Sequence, residues 1–182
     1  ALVDRGLAME VALAGECRFD TFLHQAIQSG DLPWLGRWDE DYVVLIEFSD
    51  ARLPAKIGPA IEWMRARRIR PMLAHPERIR EVQANIEVLA PLIAAGLLLQ
   101  VDADALAGGC GPFAQETARV LLQRGWVQVL ASNAHDLVRQ PPRIEPGRIA
   151  AAELLGEAES WQLVSQRPAR IAAMHFPGLG QA

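Results

Sequence analysis

The chain has 182 residues, 51% of them hydrophobic, with two cysteines and a formal net charge of −4. That length and composition provide for a buried core in one domain spanning residues 1–182, and exclude a low-complexity or disordered chain. The acidic balance argues against nucleic acid as the main partner, and two cysteines are too few for a disulfide framework.

Residues Ala1 to Gly6 resemble the last turn of a helix with a glycine stop. Met9 to Gly15 then reads as a strand ending at Glu16, and Phe19 to Gln28 has helical spacing closed by Gly30. Gly30 to Asp41 reads as a loop. Tyr42 to Ile46 predicts a strand that delivers Glu47, and Ile57 to Arg68 a helix. Pro71 to Ala74 predicts a strand delivering His75, and Ile79 to Ala95 a single helix stopped by Gly96. Leu97 to Val101 leads to Asp102 and Asp104, and Pro112 to Arg124 is a helix closed by Gly125. Val127 to Ala131 is a short apolar run suited to a strand buried on both faces, with Asn133 and His135 just beyond it. Arg148 to Leu155 and Ser160 to Ser165 complete the helical pattern.

A β-α unit repeated about five times with short connections implies parallel strands and right-handed crossovers, so an α/β fold. The longest apolar run, Val88 to Leu99, is broken by Pro91 and Gly96 and falls short of the roughly 18 residues of a membrane span. A cytoplasmic protein without membrane insertion is the expectation, and the oligomeric state is left open.

In such folds the residues past the C-terminal strand ends share one face. Glu16, Glu47, His75, Asp102, Asn133 and His135 each follow a predicted strand. Carboxylates and imidazoles converging on one rim suit divalent Mn, Fe or Zn, although any one carboxylate there could equally be a helix cap. A cysteine-based phosphatase needs an arginine six positions after its thiolate. Here Cys17 leads to Leu23 and Cys110 to Glu116, which excludes it. The Gly108-Gly109-Cys110-Gly111 cluster lacks the Lys and Ser/Thr of a nucleotide phosphate loop and reads as a turn. The run Arg65-Arg67-Arg68-Arg70 reads as a solvated helix end.

Five segments, Gly15-Glu16, Leu45-Ile46-Glu47-Phe48, Ala74-His75-Pro76-Glu77-Arg78, Ala131-Ser132-Asn133-Ala134-His135 and Arg139-Gln140-Pro141-Pro142, occur in that order. Together they resemble the bacterial tyrosine-protein phosphatases of the PHP (polymerase and histidinol phosphatase) superfamily, the enzymes paired with capsule and exopolysaccharide tyrosine kinases. The resemblance implies a distorted (β/α) barrel, a cluster of divalent metals that is commonly manganese, with Fe, Zn or Mg as alternatives, and hydrolysis of phosphotyrosine on a kinase tail. Matched position by position, it implies Glu16, Glu47, His75, Asn133 and His135 at the metals. It implies Arg78 and Arg139 as the arginines that hold the substrate phosphate. A surface arginine pairing with Glu77 or Glu81 is the plainer reading of Arg78.

The family opens with a strand carrying two histidines one residue apart, which this sequence lacks, so the barrel is expected to be incomplete at the N-terminus. The family also has an aspartate where this chain has Asn133. A catalytically degenerate scaffold that binds a partner, or a small-molecule phosphatase, are the alternative expectations.

Overall fold

The structure is a computed structural model that describes residues 10–49, 51–138 and 140–176. Its framework is a sheet of β1 (Glu16–Arg18), β3 (Asp41–Glu47), β4 (Ile69–Ala74), β5 (Leu98–Asp102) and β6 (Val129–Ala131), hydrogen-bonded in that order. All four of these pairings are parallel. β2 (Gly36–Trp38) adds an antiparallel strand on β3. Among the described residues, hydrogen bonds do not close this sheet into a barrel, but the parallel α/β fold is the one the β-α pattern predicts.

Helices α1 (Thr21–Ser29), α2 (Ile57–Arg65), α3 (Arg80–Ala84), α4 (Ala90–Ala94), α5 (Ala103–Leu106) and α6 (Pro112–Gln123) connect the strands. Then α7 (Glu145–Leu155), α8 (Glu157–Trp161), a π-type turn over Gln162–Gln166 and α9 (Arg167–Ala172) complete the described chain. The starts and stops follow local chemistry. The Asp20 carboxylate accepts from the backbone N–H groups of Phe22 and Leu23 to begin α1, and Gly30 ends it in a left-handed conformation. Pro112 opens α6 at a position where its missing N–H costs nothing.

The alternation of the strands divides the core in two. Val44, Ile46, Leu73, Leu99, Val101 and Leu130 face the helices and pack on Ile61, Met64, Leu121 and Leu122. Val43, Leu45, Met72, Ala74, Leu98 and Val129 face the other side and pack with Ile171 of α9. Along that second face the strands change character toward their C-terminal ends, because every second residue shares it. Leu45 is followed by Glu47, Leu98 by Gln100 and Asp102, and Val129 by Ala131 and Asn133. The same surface is therefore an apolar seam below and a polar rim above.

Several elements differ from the sequence reading. Residues 10–15 are not a strand: no strand among the described residues pairs with them, and Val11 and Leu13 are exposed. β1 starts at Glu16, so that carboxylate opens its strand. Residues 36–38 are a strand, turned into β3 through Asp39, whose positive φ of 53° suits a tight hairpin. The helix expected over Ile79 to Ala95 is split. Asn85 adopts an extended backbone and its side chain accepts from the Glu87 N–H, while Pro91 starts a fresh turn. Residues 1–9, including the expected helix end at Ala1 to Gly6, lie outside the described residues.

The basic run after α2 is not simply solvated. Arg65 pairs closely with Asp41, and Arg70 and Arg68 approach the same carboxylate at 3.4 and 3.8 Å. Burial works against the charged form of Asp41, but the Arg65 hydrogen bond and the surrounding guanidinium charge outweigh it and hold its pKa below the ordinary value. A depressed folded-state pKa stabilises the fold above the unfolded carboxylate's pKa, and that stabilisation is lost as pH falls through the folded value. Asp41→Asn is therefore expected to lower stability near neutral pH by roughly 1–3 kcal/mol and to flatten the acid limb of the Tm–pH curve. Thermal melts of both proteins from about pH 3 to 7 check it, and parallel curves would refute it.

Candidate metal centre at the strand ends

Register places the first three ligand candidates side by side. Arg18 lies opposite Glu47 across β1 and β3, Ile46 lies opposite Leu73 across β3 and β4, and His75 is the second residue past Leu73. His75 Nε2 lies 3.1 Å from Glu16 Oε1 and 4.0 Å from Glu47 Oε2. One ligand atom from each of Glu16, Glu47 and His75 lies within 4.8 Å of the others. Arg18 Nε donates to Glu47 Oε1 at 3.3 Å and braces that side chain from the exposed edge.

Two carboxylate oxygens and an imidazole nitrogen form a donor set that divalent transition metals accept. Ligand atoms about 2.1 Å from one ion at right angles lie about 3 Å apart, so the Glu16–His75 spacing suits a shared ion. The residues present therefore fit a metal. Without one, the hydrogen bond with His75 holds Glu16 below the ordinary carboxylate pKa, and it outweighs the burial that pushes the other way. Burial opposes the charged imidazolium of His75, but the bond to Glu16 and the Asp102 charge raise its pKa above the usual value.

His75 reaches this position through an unusual backbone. Its φ is 37°, a left-handed conformation, and it caps a 3₁₀ turn over Pro76–Arg78. Its N–H donates to Gln100 O at 2.8 Å, which ties the turn to β5, and its carbonyl accepts from the Arg78 N–H at 3.0 Å.

The other candidates sit elsewhere. Arg78 pairs closely with Asp102, and its Nη2 also lies 3.7 Å from Cys110 Sγ. Neither Glu77 nor Glu81 is its ion-pair partner, and Glu81 instead accepts from the Leu53 N–H at 2.8 Å. Asn133 has a left-handed φ of 45° and donates from Nδ2 to Asp102 Oδ2 at 3.2 Å. His135 is exposed beyond it, anchored by its backbone N–H to Gln140 O at 3.0 Å, and its charge contributes to lowering the Glu16 pKa. Arg139 lies outside the described residues.

Two acidic groups beneath the rim carry more of its structure than their letters suggest. Glu77 is fully buried and accepts from the Asp102 N–H at 3.2 Å, while Gln83 donates to its backbone carbonyl at 2.8 Å. Burial and the neighbouring Asp102 charge push the Glu77 carboxyl well above the usual carboxylate range. Asp102 is raised by burial too, with Arg78 and the Asn133 amide favouring its charged form. Glu77 Oε2, Asp102 Oδ1 and Arg78 Nε are buried without a hydrogen-bond partner among the described residues. The only signal of this layer in the sequence is that Asp102 follows an apolar run. Burial pushes both thiols, Cys17 and Cys110, above their ordinary pKa, so neither is an activated thiolate.

Comparison with known proteins places this rim in context. A tyrosine-protein phosphatase, CpsB, of Streptococcus pneumoniae is 25% identical over 166 residues, 88% of this chain and 67% of its own length. The tyrosine-protein phosphatase YwqE of Bacillus subtilis is 26% identical over 128 residues, 70% of this chain and 47% of its own. One chain from the crystal structures of YwqE from Bacillus subtilis and CpsB from Streptococcus pneumoniae, described as metal-dependent tyrosine phosphatases, superposes with a TM-score of 0.77 at 21% identity, covering 94% of this chain and 65% of its own length. The chain spans 47–67% of the length of the curated relatives it matches. The family profile for capsular polysaccharide synthesis, CpsB/CapC, matches residues 2–173. That match runs through all the strands that carry the carboxylate and histidine rim, and the chain belongs to the CpsB/CapC family.

Proposed function

We propose that the chain carries the metal and phosphate site of a cytoplasmic, metal-dependent protein-tyrosine phosphatase of the PHP type. Its proposed substrate is phosphotyrosine on the tail of a bacterial tyrosine kinase that controls capsule or exopolysaccharide synthesis. The observation that carries this reading is the meeting of Glu16, from the start of β1, with Glu47 and His75 at the C-terminal ends of β3 and β4. The relatives named as tyrosine-protein phosphatases support the substrate class.

Glu16, Glu47 and His75 would hold divalent metal, manganese in the first instance, with Asn133 and His135 completing the ligand set. Bound there, a divalent ion supplies Lewis-acid stabilisation to phosphoryl oxygens and lowers the pKa of water. Arg78 and Arg139 would hold the phosphate, since a guanidinium offers forked donors to a group whose charge spreads in the transition state. Arg18 and Glu16 hold the flanking carboxylate and imidazole in place, which limits the reorganisation required when metal arrives.

The test is phosphate release from a phosphotyrosine peptide by the full chain with Mn²⁺, with and without chelator. Release that chelator abolishes is the expected result. Chelator-resistant release stopped by thiol alkylation would overturn the reading. Metal binding with no release would favour a scaffold that binds its partner without turnover, a reading to which the engaged amide of Asn133 lends weight.

A further inference from the structure

Three consecutive strand ends meet at one buried oxygen. Arg78 follows β4, Asp102 ends β5 and Asn133 follows β6, and both Arg78 and Asn133 bind Asp102 Oδ2. The Asp102 side chain is 1% exposed, while that of Arg78 remains 28% exposed. A carboxylate only accepts, so the Asn133 amide must present its NH₂ to Asp102 and turn its oxygen away.

We propose that Asp102 is a positioning residue, whose carboxylate locks Asn133 and Arg78 into one acid–amide–guanidinium bridge that orients both toward the rim. The role assigned to Arg78 and Asn133 rests on the metal-phosphate reading of the site, but the bridge itself does not. Asn133 is an amide because of its neighbour: a carboxylate at position 133 would face Asp102 at about 3.2 Å with like charge. The site's negative charge is thereby carried one strand over, at Asp102, where the Arg78 guanidinium balances it.

The experiment is a mutant cycle on the full chain with Asp102→Asn, Asn133→Asp and the double exchange. Melting in chelator reads the bridge without metal, and titration with Mn²⁺ and then orthophosphate reads its orienting effect. Each single variant is expected to melt several degrees below the wild type. The double variant, which keeps one acid and one amide with donor and acceptor exchanged, is expected to recover several degrees over Asn133→Asp. If Asn133→Asp does not fold, recovery of folded protein in the double variant is the same result. Asp102→Asn is expected to weaken orthophosphate binding about tenfold and to weaken Mn²⁺ binding as well, because both Arg78 and Asn133 lose their anchor.

A double variant that melts at the sum of the two losses, or fails to fold, overturns the bridge. Orthophosphate affinity unchanged in Asp102→Asn overturns its orienting role. A wild type that binds no Mn²⁺ sinks the metal reading instead, and the melting cycle still decides the bridge.

Discussion

Glu16→Gln is expected to weaken Mn²⁺ binding by about 10–100-fold while leaving the fold intact. Glu16 is one of the two carboxylates in the three-residue cluster, and the amide that replaces it brings no charge to a divalent ion. Its structural contribution is small by comparison. It is exposed on a three-residue strand, and an ion pair at an exposed side chain is worth about 1 kcal/mol or less. A 10–100-fold loss of affinity is about 1.4–2.8 kcal/mol, so the binding effect exceeds the folding effect. Calorimetric titration with Mn²⁺ and melts in chelator separate the two. Unchanged affinity would remove Glu16 from the site, and a collapsed fold would make it a structural residue.

The second large effect is at Gly36, where β2 meets α9. A Cβ built there would lie 1.8 Å from Ile171 O and 2.5 Å from Ile171 C, both backbone atoms that no rotamer change can move. Its φ of 151° adds conformational strain to any other residue. Gly36→Ala is therefore expected to cost about 3 kcal/mol or more and to lower Tm by roughly 6–12 °C. Gly30→Ala is the control. Gly30 is also left-handed but has nothing within 4 Å of the added carbon, so only the conformational cost of about 1 kcal/mol applies. Equal melting losses for the two would show that α9 does not press on β2.

The parallel strands were legible because Val43 to Ile46, Leu98 to Leu99 and Val129 to Leu130 are buried, short apolar runs, which is the signature of strands covered on both faces. The same logic misled at residues 10–15, where the apolar run Val11 to Ala14 has no partner strand among the described residues, because an apolar run records burial potential and not pairing. β2 was missed because three residues containing Gly36 show no period. At the site, Glu47 and His75 could be read as strand-end letters; Glu16, read the same way, instead opens β1, and the structure still brings the three together. Asp102 could be read only as one more strand-end acid. Its partners come from 24 to 31 positions away in the chain, through contacts that no local pattern encodes.

The left-handed backbone at His75 and Asn133 narrows the paths by which this rim can drift. Asparagine, aspartate and glycine accept that conformation cheaply, whereas valine, isoleucine and threonine do not. A substitution at either position is filtered first by the backbone and only then by chemistry. Random change there is channelled toward side chains that are short and mostly still able to coordinate or hydrogen-bond. A copy released from selection for catalysis would keep the turns long after losing the ligands, so polar letters surviving at 75 and 133 would testify to shape before they testify to activity.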